Sequence, residues 1–425
     1  MIFKLAWRNL WRNKRRTLIT AASIFFAVLL AVIMRSFQEG SYNKMIENIV
    51  SFYTGYVQIH KEGYWDDQNL DNSFNHAPTL KATTLSHTSV KGVVPRLESF
   101  ALAASQDVTE GCLVVGIEPT SEDMLTALSK KVYTKKVETF DPKAVDSIRI
   151  EYQYDPAYYL ASGEQAALVA GGLAEKLKLD IGDTIILIGQ GYHGVSAAGK
   201  YPIKALVKFG SPDLNKRLVY LPLKAAQQLY GAEERLTSFA LLIDEPQRAT
   251  KLVQNLRQDI DESYEIMDWK EMMPELVQTI EGDRAGGIIM MLILYLIIGF
   301  GIFGTVLMMV AERRFEFGVL IAIGMKRMKL AAVVIIETIL ISILGILAGS
   351  IASLPIVMYF HINPLYMESM ASMYEEFGME PVLPTAIQFS IYMNQALFVL
   401  LISLFVCIYP LWKINRTEAV EAMRG

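Results

Sequence analysis

Four stretches of this chain hold apolar residues almost without charge, and they set its plan. Residues 17–34 run 18 positions with no charged side chain, enough at the helical rise to cross the hydrocarbon of a bilayer. Residues 286–311 and 391–412 are likewise uncharged, and 330–360 carry one charge, Glu337. The pattern predicts four transmembrane helices. Ahead of the first, residues 1–16 predict a cytoplasmic amphipathic interfacial helix, with Phe3, Trp7, Leu10 and Trp11 on one face and Lys4, Arg8, Arg12 and Arg15 beside it. Residues 38–50 keep a helical period through Tyr42, Met45, Ile46, Ile49 and Val50. The first helix, 17–50, is therefore expected to continue out of the membrane as a stalk.

Between the first and second apolar runs, 51–280 is soluble in character and mixed α and β. Residues 54–61 and 111–117 read as strands, and 166–189 as strand, short helix, turn and strand. Residues 203–209 and 217–221 read as strands and 223–231 as a helix. Residues 238–243, 246–260 and 264–268 read as strand, helix and strand. The polar stretch 118–165 predicts loops. Elements from both ends of the region are expected to form one subdomain near the membrane, with about 120–235 inserted as a second. Residues 271–283 predict a helix leading back into the second span, so that 271–311 forms stalk and transmembrane helix. The fold class is thus membrane α-helical, with a large α+β extracytoplasmic domain inserted between transmembrane helices 1 and 2.

Composition agrees with a membrane part joined to a soluble part: 52% of residues are hydrophobic and 20% charged. The net charge of −4 hides an asymmetry that orients the chain. Residues 1–16 contain Lys4, Arg8, Arg12, Lys14, Arg15 and Arg16 and no acid. The 312–329 segment carries Arg313, Arg314, Lys326, Arg327 and Lys329, and the tail 413–425 carries Lys413, Arg416 and Arg424. The 361–390 loop has no Lys or Arg but has Glu368, Glu375, Glu376 and Glu380. The positive-inside rule then puts both termini and 312–329 in the cytoplasm, and the large domain and the acidic loop outside. No small-x-small cleavage site follows the first apolar run, which predicts an uncleaved anchor. Once the membrane flanks are set aside no long basic face remains, which excludes nucleic acid as a partner.

Candidate chemistry is sparse. Gly194–Tyr201 nearly matches a phosphate loop, but Tyr201 replaces the small hydroxyl that would hold Mg²⁺, and Pro202 and an alternating stretch follow instead of a helix. A hairpin between 184–189 and 203–209, with the glycines in its turn, accounts for the stretch better. Cys112 and Cys407 lie too far apart in context to pair, and the five histidines lack ligand spacing. No catalytic constellation, cofactor site or metal site emerges. Glu337 sits eight residues past Lys329, about 12 Å along a helix. A structural pairing with Arg313 or Arg314 near the interface fits that depth better than proton coupling. Gly345 and Gly349 form a GxxxG pair that permits close helix approach.

The segment 312–329 mixes charge with apolar residues at helical spacing: Phe315, Val319 and Ile323, with Glu312 and Glu316. Gly318 and Gly324 read as breaks. A short cytoplasmic helix with exposed apolar groups suits insertion into a partner's groove.

Glu312–Gly324, followed by Lys326, Arg327 and Glu337, resembles the signature of FtsX-like ABC-transporter permeases. Residues 5–20 and 409–424 resemble the ends of the same family, although Thr417 stands where the family often has proline. Residues 55–60, 171–183 and 199–231 resemble the extracytoplasmic domain of its lipoprotein-releasing branch. The resemblance implies a porter-plus-sabre outer domain, a separate ABC ATPase subunit dimer that binds ATP and Mg, and a second permease in a homo- or heterodimer. It implies a coupling role for Glu312, Arg313, Glu316, Phe317, Gly318 and Gly324. It also implies a periplasmic carrier or adaptor and lipoprotein or related lipidated cargo drawn from the inner membrane. A macrolide- or peptide-type exporter, or a signalling permease that regulates a cell-wall hydrolase, is the alternative.

Overall fold

A computed structural model describes residues 2–412 apart from 13, 106, 141–147, 368–381 and 410. The tail 413–425, with Thr417, and the loop acids Glu368, Glu375, Glu376 and Glu380 lie outside the described residues. The chain divides into two compact units. One takes the described residues within Met1–Asn43, Thr279–Tyr366 and Val382–Gly425, and the other those within Lys44–Gln278 and Met367–Pro381.

Four helices are long and apolar enough to cross a membrane: Thr17–Ile46, Pro274–Glu312, Arg327–Ile362 and Phe389–Val406. They are called here the first to fourth spans. Glycine sets how closely two of them pack. A Cβ on Gly345 would come within 2.7 Å of the Ile24 Cβ, and one on Gly349 within 2.7 Å of the Phe25 carbonyl oxygen and 3.0 Å of the Val28 Cβ. The third span can therefore lie against the backbone of the first only because both positions lack side chains. Inside this contact Ile24, Val28 and Val32 join Ile341 and Ile346 in one apolar core. A buried hydroxyl pair, Ser342 to Ser403 at 2.8 Å, ties the third span to the fourth.

The second unit is built on one sheet. Its strands in chain order are β1 (Val57–Lys61), β2 (Phe74–Asn75), β3 (Val90–Ala104), β4 (Thr109–Ile117), β5 (Val132–Phe140), β6 (Ile148–Tyr154), β7 (Ala167–Ala170), β8 (Thr184–Gln190), β9 (Ser196–Val207), β10 (Leu218–Pro222), β11 (Arg235–Leu236), β12 (Ser238–Ile243) and β13 (Tyr264–Asp268). The order across the main sheet is β13-β1-β12-β3-β4-β10-β7-β9-β5-β6, with β8 pairing β3 and β9, while β2 and β11 pair separately. Two side-chain cores lie along it. One gathers Val57, Ile59, Phe74, Phe239, Leu252 and Ile266. The other gathers Leu97, Val114, Leu168, Leu173, Val207 and Tyr220.

Two local expectations need correction. The polar stretch 118–165 is not mainly loop: it forms a helix, Pro119–Thr126, and the antiparallel pair β5 and β6. Its alternating Tyr and charged residues carry the period of a strand, which composition alone reads as loop. The hairpin of β8 and β9 exists, but it pairs 184–190 with 196–202 and turns over 191–195. Gly194, at φ 77°, serves that turn, whereas Gly199 stands within β9 opposite Leu187. The GVSAAGKY stretch is therefore turn and strand, with no helix N-terminus behind it to hold phosphate.

Buried charge fastens the end of the first stalk. The π-helical turns Glu47–Thr54 follow the first span, and the Tyr53 carbonyl accepts from Arg96 at 2.6 Å. Arg96 and Glu122 are both fully buried and meet through two bonds of 2.8 and 2.6 Å. The Tyr53 hydroxyl donates to Glu98 at 2.7 Å.

Gly349→Leu is expected to destabilise the membrane unit by about 1–3 kcal/mol, the usual cost of overpacking. Thermal unfolding of the purified chain in detergent measures it. An unchanged midpoint would show that the first and third spans do not rely on this contact.

A candidate coupling site

The segment between the second and third spans turns twice. The second span ends at Glu312, and Arg313 breaks the helix with φ −102° and ψ 11°. A short helix, Arg314–Ala322, follows. It stops at Gly324, whose φ of 103° is the left-handed region open to glycine. There the Gly324 N–H donates to the Ile321 carbonyl at 3.0 Å and the Met325 N–H to Leu320 at 2.9 Å, the paired bonds of a Schellman stop. Gly318 does not break the helix, contrary to its reading as a break. It lies inside the helix and is buried.

The sides of this short helix differ in what they meet. Phe317 is buried in the apolar core with Leu330 and Val334. Its ring lies beneath the Arg313 guanidinium, 5.2 Å from the ring centroid. Phe317 is thus a packing residue rather than a projecting contact. Phe315 and Ile323, by contrast, are 61% and 79% exposed, and Met328 beyond the turn is 80% exposed. Glu312 and Gly324 are also exposed.

Four charged side chains tie the segment to its surroundings. Arg313 donates to Glu337 at 2.8 Å, with Glu337 fully buried in the third span and Arg313 nearly so. Arg313 also donates to Glu316 at 3.1 Å. Glu316 in turn accepts two bonds from Arg12 of the N-terminal helix, at 2.7 and 2.6 Å. Partial burial pushes the Glu316 carboxyl up, but the Arg12 and Arg313 guanidiniums outweigh it and hold the group below the ordinary carboxylate range. Its ionised form, and the link it makes, therefore persists as pH falls through about 4.3 and is lost only below that.

The N-terminal helix, Ile2–Arg12, packs through Ala6, Asn9 and Leu10, which are buried. Leu10 therefore leaves the face it was expected to share with Phe3, Trp7 and Trp11. The helix meets the first span at a corner where the Thr17 hydroxyl donates to the Leu10 carbonyl at 2.9 Å. Sequence reasoning offered Arg313 or Arg314 as the partner of Glu337 but missed Arg12, because a contact across 304 positions leaves no periodic trace. Among the described residues no group of three or more His, Cys, Asp and Glu could hold a metal ion.

Glu337→Ala leaves the Arg313 guanidinium buried opposite a lost partner and is expected to cost about 3–5 kcal/mol. The double variant Arg313→Met/Glu337→Leu is expected to recover most of that, since two apolar groups need no compensation. Chemical unfolding of the detergent-solubilised chain checks both. Additive losses in the double variant would contradict the pairing.

Residues 17–259 match the MacB-like periplasmic core domain and residues 288–419 the FtsX-like permease C-terminal family. A lipoprotein-releasing system transmembrane protein LolC from Xylella fastidiosa (strain 9a5c) is 22% identical over 83% of this chain and 81% of its own length. The LolC protein of Haemophilus influenzae is 21% identical over 98% of this chain and 96% of its own length. A macrolide export ATP-binding/permease protein MacB from Burkholderia thailandensis is 22% identical over 83% of this chain but 51% of its own length. The crystal structure of the periplasmic region of MacB from Actinobacillus actinomycetemcomitans overlaps 56% of this chain and 98% of that one, at 15% identity and a TM-score of 0.32. The MacB-like match alone takes in more than half of the chain. With its four spanning helices this is a multi-pass inner-membrane protein, and it belongs to the FtsX-like permeases of ABC transporters, carrying a MacB-like periplasmic core domain and related to the lipoprotein-releasing branch.

Proposed function

We propose that this permease couples an ABC ATPase on the cytoplasmic side to the release of lipoproteins, or related lipidated cargo, from the inner membrane to a periplasmic carrier. The carrying observation is the segment 312–329. Its inner side is anchored by Arg313 to the buried Glu337, and its outer side presents Phe315, Ile323 and Met328. A short helix with bare apolar side chains and an anchored base is suited to transmit a partner's movement rather than to yield to it. Both termini and this segment lie in the cytoplasm under the positive-inside reading, and the large domain lies outside. ATP and Mg belong to the partner ATPase in this reading.

A second permease completes the membrane assembly. The second span supports this, since Ile289, Met290, Ile293 and Ile297 are each more than half exposed. Between the second and fourth spans runs an apolar groove of about 1190 Å³, with Arg35 and Arg284 near one end and Tyr409 and Trp412 near the other. The lipoprotein-releasing relatives supply the reading of cargo. The macrolide-exporting relative keeps export of small molecules as the second reading.

Phe315→Ser/Ile323→Ser is expected to weaken co-purification of the ATPase at least tenfold, since two anchors of a small interface carry well over 1.4 kcal/mol. Glu316→Lys and Gly324→Trp are expected to leave assembly measurable but to separate ATP hydrolysis from release. Full association and full coupled activity in all three would sink the coupling role. For cargo, depletion of the protein is expected to retain lipoproteins in the inner membrane. Unchanged lipoprotein sorting, with altered efflux of small molecules, would transfer the assignment to the exporter reading.

A further inference from the structure

The N-terminal helix has two apolar faces, and bundle packing uses only one. Ala6 and Leu10 are 0% and 1% exposed against the spans. Phe3, Trp7 and Trp11 form a second stripe at spacings of four, and are 60%, 44% and 55% exposed. Trp7 and Trp11 stand edge to face with ring centroids 6.2 Å apart. Around this stripe Lys4, Arg8, Arg12, Lys14 and Arg15 are all exposed, and residues 1–16 contain no acid. Neither family match includes residues 1–16.

Bare tryptophans flanked only by cations fit the headgroup region of an anionic bilayer. A protein groove would have to supply several carboxylates as well as an apolar floor. The same helix holds the coupling segment through the paired bonds of Arg12 to Glu316. Glu316 passes to Arg313, and Arg313 to Glu337. We propose that this helix is a sensor of anionic phospholipid in the adjoining leaflet, and that its grip on the bilayer sets the position of the coupling segment through the Arg12–Glu316 link. The inference rests on the coupling role of 312–329. Each Lys or Arg at an anionic surface strengthens attachment about fivefold, so the cations Lys4 and Arg8 together give a large response to lipid composition.

The test uses the complete complex of permease and ATPase in nanodiscs of phosphatidylcholine alone or mixed with phosphatidylglycerol. ATP hydrolysis is read in both, together with bilayer attachment of the helix. Attachment is the brominated-lipid quenching lost on Trp7→Phe/Trp11→Phe. The native complex is expected to change its hydrolysis rate severalfold on addition of phosphatidylglycerol, in step with attachment. Lys4→Gln/Arg8→Gln is expected to lose attachment and response together while keeping its rate in phosphatidylcholine. Arg12→Gln is expected to keep most of the attachment and to lose the response. Equal rates of the native complex in the two lipids would overturn the proposal, as would an undiminished response in Arg12→Gln. Loss of ATPase co-purification on replacing Lys4 and Arg8 would instead make the stripe a protein contact and would also overturn it. Failure of the underlying coupling role shows separately, as full association and coupled activity in Phe315→Ser/Ile323→Ser.

Discussion

A guanidinium and a carboxylate share a place from which water is excluded, and the membrane unit is arranged around keeping them together. Glu337 is fully buried in the third span, within a stretch, 330–360, that holds no other charge, and Arg313 stands where the second span gives way to the short helix. Either charge alone in that position would cost several kcal/mol. Paired, they hold the chain break at Arg313 to a fixed point on the third span. The helix Arg314–Ala322 is thereby tied to the third span, as the proposed coupling role requires. Glu316 and Arg12 extend the same chain of charge to the N-terminal helix.

Close packing carries that constraint further into the bundle. Gly345 and Gly349 bring the third span onto the backbone of the first. Within the membrane unit each joint is a short contact with little room to give, glycine against backbone or the buried pair of Arg313 and Glu337. Packed contacts of this kind pass on displacement instead of absorbing it. Under the proposed coupling role, in which an ATPase subunit supplies the energy, the membrane unit needs such joints.

The spans were legible because the bilayer leaves only length and absence of charge to satisfy, and both stand in the sequence. Most strands were legible too, β1 from alternation and β4 as a short apolar run, with β10, β12 and β13 among the rest. The tyrosine-rich stretch that forms β5 and β6 was not, since its polar residues also mark loops. At the coupling segment the periodicity located the helix and the depth of Glu337 pointed to an arginine partner. Three things escaped it: Phe317 turns inward, Gly318 stays helical, and Leu10 leaves the face of Trp7 and Trp11. Each depends on which neighbour packs alongside, and that neighbour lies in a distant part of the chain. The link of Arg12 to Glu316 is the extreme case.

The central claim is that the exposed side of 312–329 is where the ATPase takes hold. Cysteine placed at Ile323 or Phe315 and coupled with a short bifunctional reagent in the assembled complex tests it most directly. The account predicts cross-links to the ATPase from both positions, and none from a cysteine at Ile188, which is half exposed on β8 in the outer unit. Cross-linking of the ATPase from Ile188, or labelling of Ile323→Cys by a membrane-impermeant reagent added outside intact cells, would contradict it.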